Sequence, residues 1–587
     1  MKTTIITLGV SLVLASSIAR ADEARMHVAR EASGMRTFAA APRIVERLQL
    51  SPAVMIGAAA EEVPEELSAL RQWNAEGREP YRNGIVRSLG ETLAVRFGGG
   101  SADRSTRGRG VTAETAGGMT WGTSIRVGNA RRLRAHLENV ELPDGTTLWV
   151  YGTSGQPVAF DAALIDDQKA LWTPSVDGDT LYLEVEAPAG QSVSFDVKEV
   201  LELLYARGTG PQPKSDDAPT CLNGQDINCQ STAEFPAMTA VRRAIGQMEF
   251  VVPGGGGAVC SGALINDQQS TGARYFLTAN HCIATQSSAS SLETYFDFDY
   301  DSCVASTANW LPAVNGSTLL TTSTSTDVTL LRLSSLPSNR VFLGWSTTPP
   351  ANGARLHRIS HPVPDGFPAA EPQLYSRTIV TTTASTCSGI SRPNYVYSNE
   401  LGGGEGGTYG GSSGSAAILS DSADDARIVG QLRGGCGPDP SAGCDRRNNT
   451  VDGAFAMSYS VLQPYLAPAT SAVCTPDSST ICIMNNRFSV RLTYDIGQGP
   501  KPMTAIKYTA NTGLFWFADA SNIEVILKMV DACSFNSRFW VFVGGTTDVG
   551  VVITVTDTKN GTVKTYTHPR GSNFVTITDT GAFATCP

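Results

Sequence analysis

Short apolar runs, many alternating with polar residues, recur along most of the chain, which is the pattern of half-buried β-strands. Thr180-Leu181-Tyr182-Leu183-Glu184-Val185 alternates, as do Phe488-Ser489-Val490-Arg491-Leu492-Thr493-Tyr494 and Ile523-Glu524-Val525-Ile526-Leu527-Lys528. Leu148-Trp149-Val150-Tyr151, Gly262-Ala263-Leu264-Ile265, Val328 to Leu333, Ile428 to Leu432 and Phe539 to Val543 are denser and read as buried strands. Turn signals such as Pro143-Asp144-Gly145 and Asp177-Gly178-Asp179 punctuate them. Helical spacing stands out at Pro64 to Glu76, where Leu67, Leu70 and Trp73 share a face. A last helix is expected around Val461 to Leu466. The pattern predicts a fold dominated by β-structure.

Residues 1–21 have the form of a secretory signal peptide, with Lys2, an apolar core from Ile5 to Leu14, and Ala19-Arg20-Ala21 as a cleavage site. Export places the 12 cysteines in an oxidising compartment, where an even number reads as a disulfide framework. Residues 22–215 contain no cysteine, which marks a separate unit, charged and partly helical to about Gly110 and strand-rich from 122 to 204. Arg207 to Pro219 reads as a linker and processing site, with Arg207 and Lys214 as basic residues within it. A second unit spans 216–466. A hinge rich in Pro and Ala leads to a third, 469–587, expected to be a β-sandwich with two internal disulfides among Cys474, Cys482, Cys533 and Cys586. In this last unit Phe515, Trp516, Phe517 and Trp540 are expected to pack in a core rather than form a binding face. The net charge of -10 disfavours nucleic acid or an anionic membrane as partner. No cluster has zinc-ligand spacing and no glycine loop has phosphate-binding form, so no metal and no cofactor is expected.

The chemistry concentrates in three stretches. Gly410-Gly411-Ser412-Ser413-Gly414-Ser415 is a serine turn built of small residues, suited to exposing one hydroxyl beside backbone N–H groups. Tyr275-Phe276-Leu277-Thr278-Ala279-Asn280-His281-Cys282 is a strand that ends in one of only six histidines. Thr326-Asp327-Val328-Thr329-Leu330-Leu331 opens a strand with an aspartate. Each stretch alone is ordinary; together they give His, Asp and Ser in one of the orders used for acyl transfer.

These stretches resemble the motifs TAxHC, D(I/V/F)xLL and G-[DS]-S-G-[GS] of the chymotrypsin-like serine peptidases. Gly411 to Ser415, with Gly430-Gln431-Leu432-Arg433-Gly434-Gly435, is most similar to the bacterial lysyl endopeptidase branch. The resemblance implies a chymotrypsin-like double β-barrel over roughly 216–466, flanked by an α+β or β-sandwich pro-region that assists folding and blocks the site. It implies His281 as general base, Asp327 as its orienting partner and Ser413 as nucleophile, with the N–H groups of Gly411 and Ser413 as oxyanion hole. It further implies disulfides Cys260–Cys282, Cys221–Cys436 and Cys229–Cys303, leaving Cys387 and Cys444 able to pair. The expected partners are protein or peptide substrates of a secreted, monomeric bacterial enzyme, with the pro-region as intramolecular inhibitor. Phe539 to Gly561 is similar to a domain appended to various secreted bacterial proteins.

Two departures bear on activation and specificity. Ser412 stands where many animal relatives carry an aspartate that pairs with a new N-terminus. Gly407 stands where trypsin has its pocket carboxylate, and Arg433 replaces the histidine of QLHGG. Lysyl endopeptidases use an aspartate shortly before the last barrel strand, and the resemblance implies Asp452 in that part as an acidic pocket floor, beside Gly434 and Arg433, favouring cleavage after Lys or Arg. Rival readings are a silent protease-like binding protein, a serine esterase, and an N-terminal β-sandwich retained in the mature chain.

Overall fold

A computed structural model describes residues 23–35, 38, 40–47, 54–56, 64–98, 110–115, 118–153, 156–205, 225–303, 308–363, 372–400, 407–438, 445–467, 474–559 and 561–586. The expected signal peptide, the linker with Arg207 and Lys214, Cys221 and Cys444 lie outside the described residues. The chain divides into two compact units, 1–462 and 463–587.

In the first unit a β-sandwich precedes two barrels. One sandwich sheet holds Val54–Ile56, Val111–Thr115, Gly118–Val127, Thr147–Tyr151, Val158–Phe160 and Thr180–Pro188. The other holds Tyr81–Gly98, Arg132–Glu141 and Ser192–Leu203. Their inward positions close on Trp121, Phe195, Leu133, Leu183 and Val197, all essentially without solvent exposure. The helix Pro64–Ala75 forms as its spacing predicts, with Leu67 and Leu70 buried. The long strand Tyr81–Gly98 falls in the stretch read as charged and partly helical. Its alternation Leu93, Val95, Phe97 puts every second side chain in the core, and that burial overrides the charged residues between.

The second sandwich sheet runs on into the first barrel. Tyr81 and Arg82 pair antiparallel with Val259 and Ala258, so the N-terminal sheet and the barrel share one set of hydrogen bonds. In this barrel Gly257–Leu264 lies between Ile245–Val251 and Tyr275–Ala279. Val328–Leu333 follows, then Ser317–Ser323. Glu293–Phe296 completes the set, beside Ile245–Val251 and Val314–Asn315. In the second barrel Arg355–Ser360, Leu374–Val380, Tyr395–Asn399, Asn449–Ala454, Asp425–Cys436 and Ala416–Ser422 pair in a closed ring. The helix Phe455–Leu466 follows the last strand, longer than the stretch expected to be helical. The double barrel is the expected chymotrypsin-like architecture. Glu23–Ala24 and His27–Ala29, from the start of the described chain, add short antiparallel pairings to Trp345–Ser346 and Arg340–Phe342. No described helix is long and apolar enough to cross a membrane.

Cys260 pairs with Cys282 and Cys229 with Cys303. The third expected pairing is corrected: Cys436 joins Cys387, not Cys221, and Cys387 is therefore not a partner for Cys444. Cys436 ends a strand that runs beside Asn449–Ala454, which in turn neighbours Tyr395–Asn399. The Tyr397 hydroxyl accepts from Cys387 N at 3.0 Å and donates to Ile390 O, folding the Cys387 loop back over that edge.

The second unit is a sandwich of two five-stranded antiparallel sheets. Phe488, Phe515, Phe539, Val541 and Ile553 lie in its core. Disulfides Cys474–Cys482 and Cys533–Cys586 close it. Phe515 is buried and Phe517 packs partly against that core, whereas Trp516 and Trp540 are half-buried.

Where the N-terminal sandwich meets the first barrel, Arg132 holds Glu249 with two hydrogen bonds of 3.2 and 2.7 Å, both side chains buried. Breaking such a pair strands a charge and costs about 3–5 kcal/mol. Arg132→Ala is expected to lower the urea midpoint of the intact chain, and Arg132→Met with Glu249→Leu to restore most of the loss. A single variant as stable as the parent would contradict this role.

Candidate active site

His281, Asp327 and Ser413 are held where the two barrels meet. The strand Tyr275–Ala279 is buried throughout and delivers His281 at its end. The Cys260–Cys282 disulfide ties that end to the neighbouring strand, with Cα atoms 6.4 Å apart. Asp327, at the start of Val328–Leu333, has left-handed backbone, φ +54°. It is held there because its carbonyl accepts from Asn280 N at 2.9 Å and from Gln431 Nε2 at 3.1 Å. Gln431 comes from the second barrel and also donates to Thr326 O at 2.8 Å. The buried Asp327 carboxylate then makes two bonds to one residue: His281 N donates to Oδ1 at 2.9 Å, and His281 Nδ1 lies 2.7 Å from Oδ2. A carboxylate on Nδ1 places the proton there and leaves Nε2 as the working nitrogen.

The serine turn is built from close approaches. A Cβ on Gly414 would lie 2.1 Å from Thr278 Oγ1 and 2.6 Å from Ser261 O, and one on Gly411 would lie 2.7 Å from His361 O. Both glycines have left-handed backbone, φ +79° and +91°. Ser261, on the first barrel, locks the turn: its N–H donates to Ser413 O at 2.8 Å and its hydroxyl to Gly411 O at 2.9 Å. Among the described residues the N–H groups of Gly411 and Ser413 donate to no backbone carbonyl, whereas those of Ser412, Gly414 and Ser415 do. Ser412 is buried against the Ser360 hydroxyl at 3.1 Å.

Nε2 of His281 faces the N-terminal region. Glu79 Oε2 lies 3.4 Å from it, and the Arg433 guanidinium donates to the same oxygen. Arg433 Nε is also 3.6 Å from Asp327 Oδ2. Among the described residues no hydrogen bond joins Ser413 to His281. Gly434 leaves room for the intruding carboxylate, since a Cβ there would lie 2.8 Å from Glu79 Oε1. Tyr81 lies over Gly410. A cavity of about 570 Å³ beside these groups is lined by Trp73, Glu79, His281, Ile390, Arg433 and Val451, among others.

Asp452, the expected acidic pocket floor, has no solvent exposure. Arg358 bonds its Oδ1 at 2.5 Å and also donates to Ser415 O and Oγ at 2.7 and 3.0 Å, while Asp452 Oδ2 has no hydrogen-bond partner among the described residues. Its work is to brace the serine turn from behind, because burial demands a partner and Arg358 supplies one. Burial pushes its carboxyl pKa up, and Arg358 pulls it down. Arg433 therefore does not neutralise Asp452; it meets Glu79 and Asp327. Gly434 lines the cavity, and Gly407, half-buried ahead of the turn, does not. The sulfurs of Cys260 and Cys282 lie within 4.8 Å of a His281 nitrogen, but a disulfide offers no thiolate to a metal. Sequence reasoning missed Glu79, Ser261, Arg358 and Gln431. Gln431 lies in a quoted motif, whereas Glu79 is one acid among many in a charged stretch.

Residues 216–455 match the family model described as lysyl endopeptidase, C-terminal domain, and residues 112–198 the model of the lysyl endopeptidase N-terminal domain. The chain is 28% identical over 354 residues to a lysyl endopeptidase of Pseudomonas aeruginosa, covering 57% of this chain and 72% of that protein. Among solved structures, HL collagenase is 16% identical with a TM-score of 0.28, covering 41% of this chain and 96% of its own. The MamO protease domain of Magnetospirillum magneticum is 14% identical with a TM-score of 0.25, covering 38% and 98%. Scores of that size add nothing about the site. Both domain models of one peptidase family thus lie in this chain, in order.

Burial would lower the His281 pKa, but Glu79 and Asp327 outweigh burial and the opposing Arg433, and the imidazole stands above its ordinary value. A raised histidine pKa stabilises the folded form fully below the unfolded value, and that contribution is lost as pH rises through the folded value. Glu79→Gln removes one anion and should lower the His281 pKa, read from its imidazole NMR titration in the intact chain. An unchanged titration would mean that Glu79 does not act on this ring.

Proposed function

We propose that His281, Asp327 and Ser413 form the working triad of this serine endopeptidase, and that residues 22–215 hold it closed until they are removed. The observation that carries the reading is the Asp327 carboxylate on His281 Nδ1, beside a serine turn in which two N–H groups donate to no backbone carbonyl among the described residues. The Ser413 hydroxyl attacks the peptide carbonyl while His281 Nε2 takes its proton. Asp327 keeps the ring oriented and stabilises the imidazolium. The N–H groups of Gly411 and Ser413 receive the oxyanion, each such donor being worth about 2.7–4 kcal/mol of barrier. The imidazolium then protonates the leaving amine, and water repeats the cycle on the acyl-enzyme to free the acid and restore Ser413.

The closed state has a physical basis. Glu79 Oε2 lies 3.4 Å from Nε2, the nitrogen that must take the Ser413 proton, and the shared sheet through Tyr81 and Arg82 lies next to it in the chain. The proposed order is a signal peptide over 1–21, a pro-region over 22–215, the peptidase over 216–466 and a C-terminal sandwich over 469–587. Five disulfides among the described cysteines support maturation in an oxidising compartment, as a secreted protein. Because Ser412 offers no carboxylate to pair with a new terminal ammonium and is bonded to Ser360 instead, activation rests on removing the pro-region. Cleavage after Lys or Arg would call on Asp452, whose Oδ1 is held by Arg358 and whose buried Oδ2 has no partner among the described residues.

The test is peptide hydrolysis by the matured parent and by Ser413→Ala, with folding checked by unfolding midpoint. Turnover should fall by about a thousandfold or more, because the nucleophile itself is gone. Hydrolysis at the parental rate would sink the assignment.

A further inference from the structure

Resting on the reading that residues 22–215 are removed, we infer that their departure uncovers a divalent-cation site on the first barrel, built from Glu249, Glu293 and the Ser291 carbonyl. Glu249 and Glu293 are direct partners across the antiparallel strands Ile245–Val251 and Glu293–Phe296. Two carboxylates facing each other on one side of a sheet repel. Both are nonetheless buried in the uncleaved chain. Two guanidinium groups of the N-terminal sandwich make this tolerable. Arg132 donates to both oxygens of Glu249 and lies 4.0 Å from Glu293 Oε2. Arg134 lies 3.7 Å from that same oxygen and donates to Ser291 O at 2.7 Å. Ser175, also on the sandwich, reaches Glu293 Oε1 through its N–H at 2.9 Å and its hydroxyl at 3.2 Å. Glu293 Oε2 accepts no hydrogen bond among the described residues, although its side chain is only 2% exposed.

The cations here belong to the part that leaves, and the anions to the part that stays. Removal of the sandwich takes away both guanidinium groups and Ser175, and leaves two carboxylates and a backbone carbonyl around the space they filled. Gln247 Nε2, 3.4 Å from Glu249 Oε1, remains on the barrel. Oxygen donors without sulfur or imidazole suit a hard cation. Calcium takes about six to eight oxygens in flexible geometry and accepts a carboxylate through one oxygen or two, so these groups and a few waters can surround it. Its double charge cancels both anions at once and relieves the repulsion between the strands. Ile245–Val251 is bonded in turn to Gly257–Leu264, which carries Cys260 and Ser261 beneath the serine turn. In the free peptidase the ion thus takes over the hold on this sheet that Arg132 and Arg134 exert in the precursor.

The experiment uses the secreted, matured enzyme, blocked with a fluorophosphonate against self-digestion, with mass spectrometry verifying that residues 22–215 are gone. Calcium chloride is titrated in by calorimetry, and melting is followed in calcium and in EDTA. At about 10 mM calcium the Tm of the matured enzyme should stand about 5 °C or more above its value in EDTA. The uncleaved Ser413→Ala chain, with Arg132 and Arg134 in place, should bind one calcium fewer than the matured parent. Glu293→Gln should remove that extra ion and the Tm shift. Because this change strands Arg134 in the precursor, the paired Arg132→Met with Glu249→Leu supplies a second variant, which should also lose the shift once matured. A matured parent with no calcium-dependent shift would overturn the inference. So would a full shift in the matured paired variant, or equal uptake by the uncleaved chain. Failure of the fluorophosphonate to label Ser413 would bear on the triad and leave this comparison standing. An active enzyme that still carries residues 22–215 would bring down the maturation reading, and this inference with it.

Discussion

The site depends on the double hold of Asp327 on His281. One oxygen takes the backbone N–H and the other the ring nitrogen, at 2.9 and 2.7 Å. This fixes both the position of the residue and the tautomer of its ring. Asp327 is in turn fixed from both barrels, by Asn280 on one side and Gln431 on the other. The serine turn has the same logic. Ser261 grips it from the first barrel, and Arg358 with Asp452 braces it from the second. Acyl transfer at such a site needs little rearrangement, because the groups that must meet are positioned by buried hydrogen bonds.

The same geometry brings the N-terminal region into the cleft. The N-terminal sandwich extends the first barrel's sheet, and its strand Tyr81–Gly98 enters beside the serine turn. Just before that strand, Glu79 reaches His281 Nε2 and Arg433. A carboxylate there raises the proton affinity of the ring and fills the approach to it. Buried Arg132–Glu249 contacts hold the sandwich in place some distance from the cleft. The N-terminal sandwich and the first barrel thus share one continuous sheet.

Much of this was legible in the residues. Strand-like runs, the cysteine-free N-terminal stretch and the three motifs led to the sandwiches, the double barrel and the meeting of His281 with Asp327. Long-range facts were not. Tyr81–Gly98 was masked by its charged residues, since its strand character comes from burial on one face. Cys436 meets Cys387 through a loop folded by Tyr397, which no spacing reveals. The partner of Asp452 was not legible either, because sequence does not show that Arg358, 94 residues away, meets it. Glu79 had no local signal at all, because its role exists only where two domains meet.

The account turns on Glu79 closing the site in the uncleaved chain. The most direct measurement is the rate at which a fluorophosphonate labels Ser413 in the intact chain, parent against Glu79→Gln, with mass spectrometry verifying that the N-terminal region is still attached. The account predicts slow labelling of the parent, faster labelling of the variant, and a parent rate that climbs as pH rises through the raised His281 pKa. Equal rates for the two uncleaved proteins would contradict it.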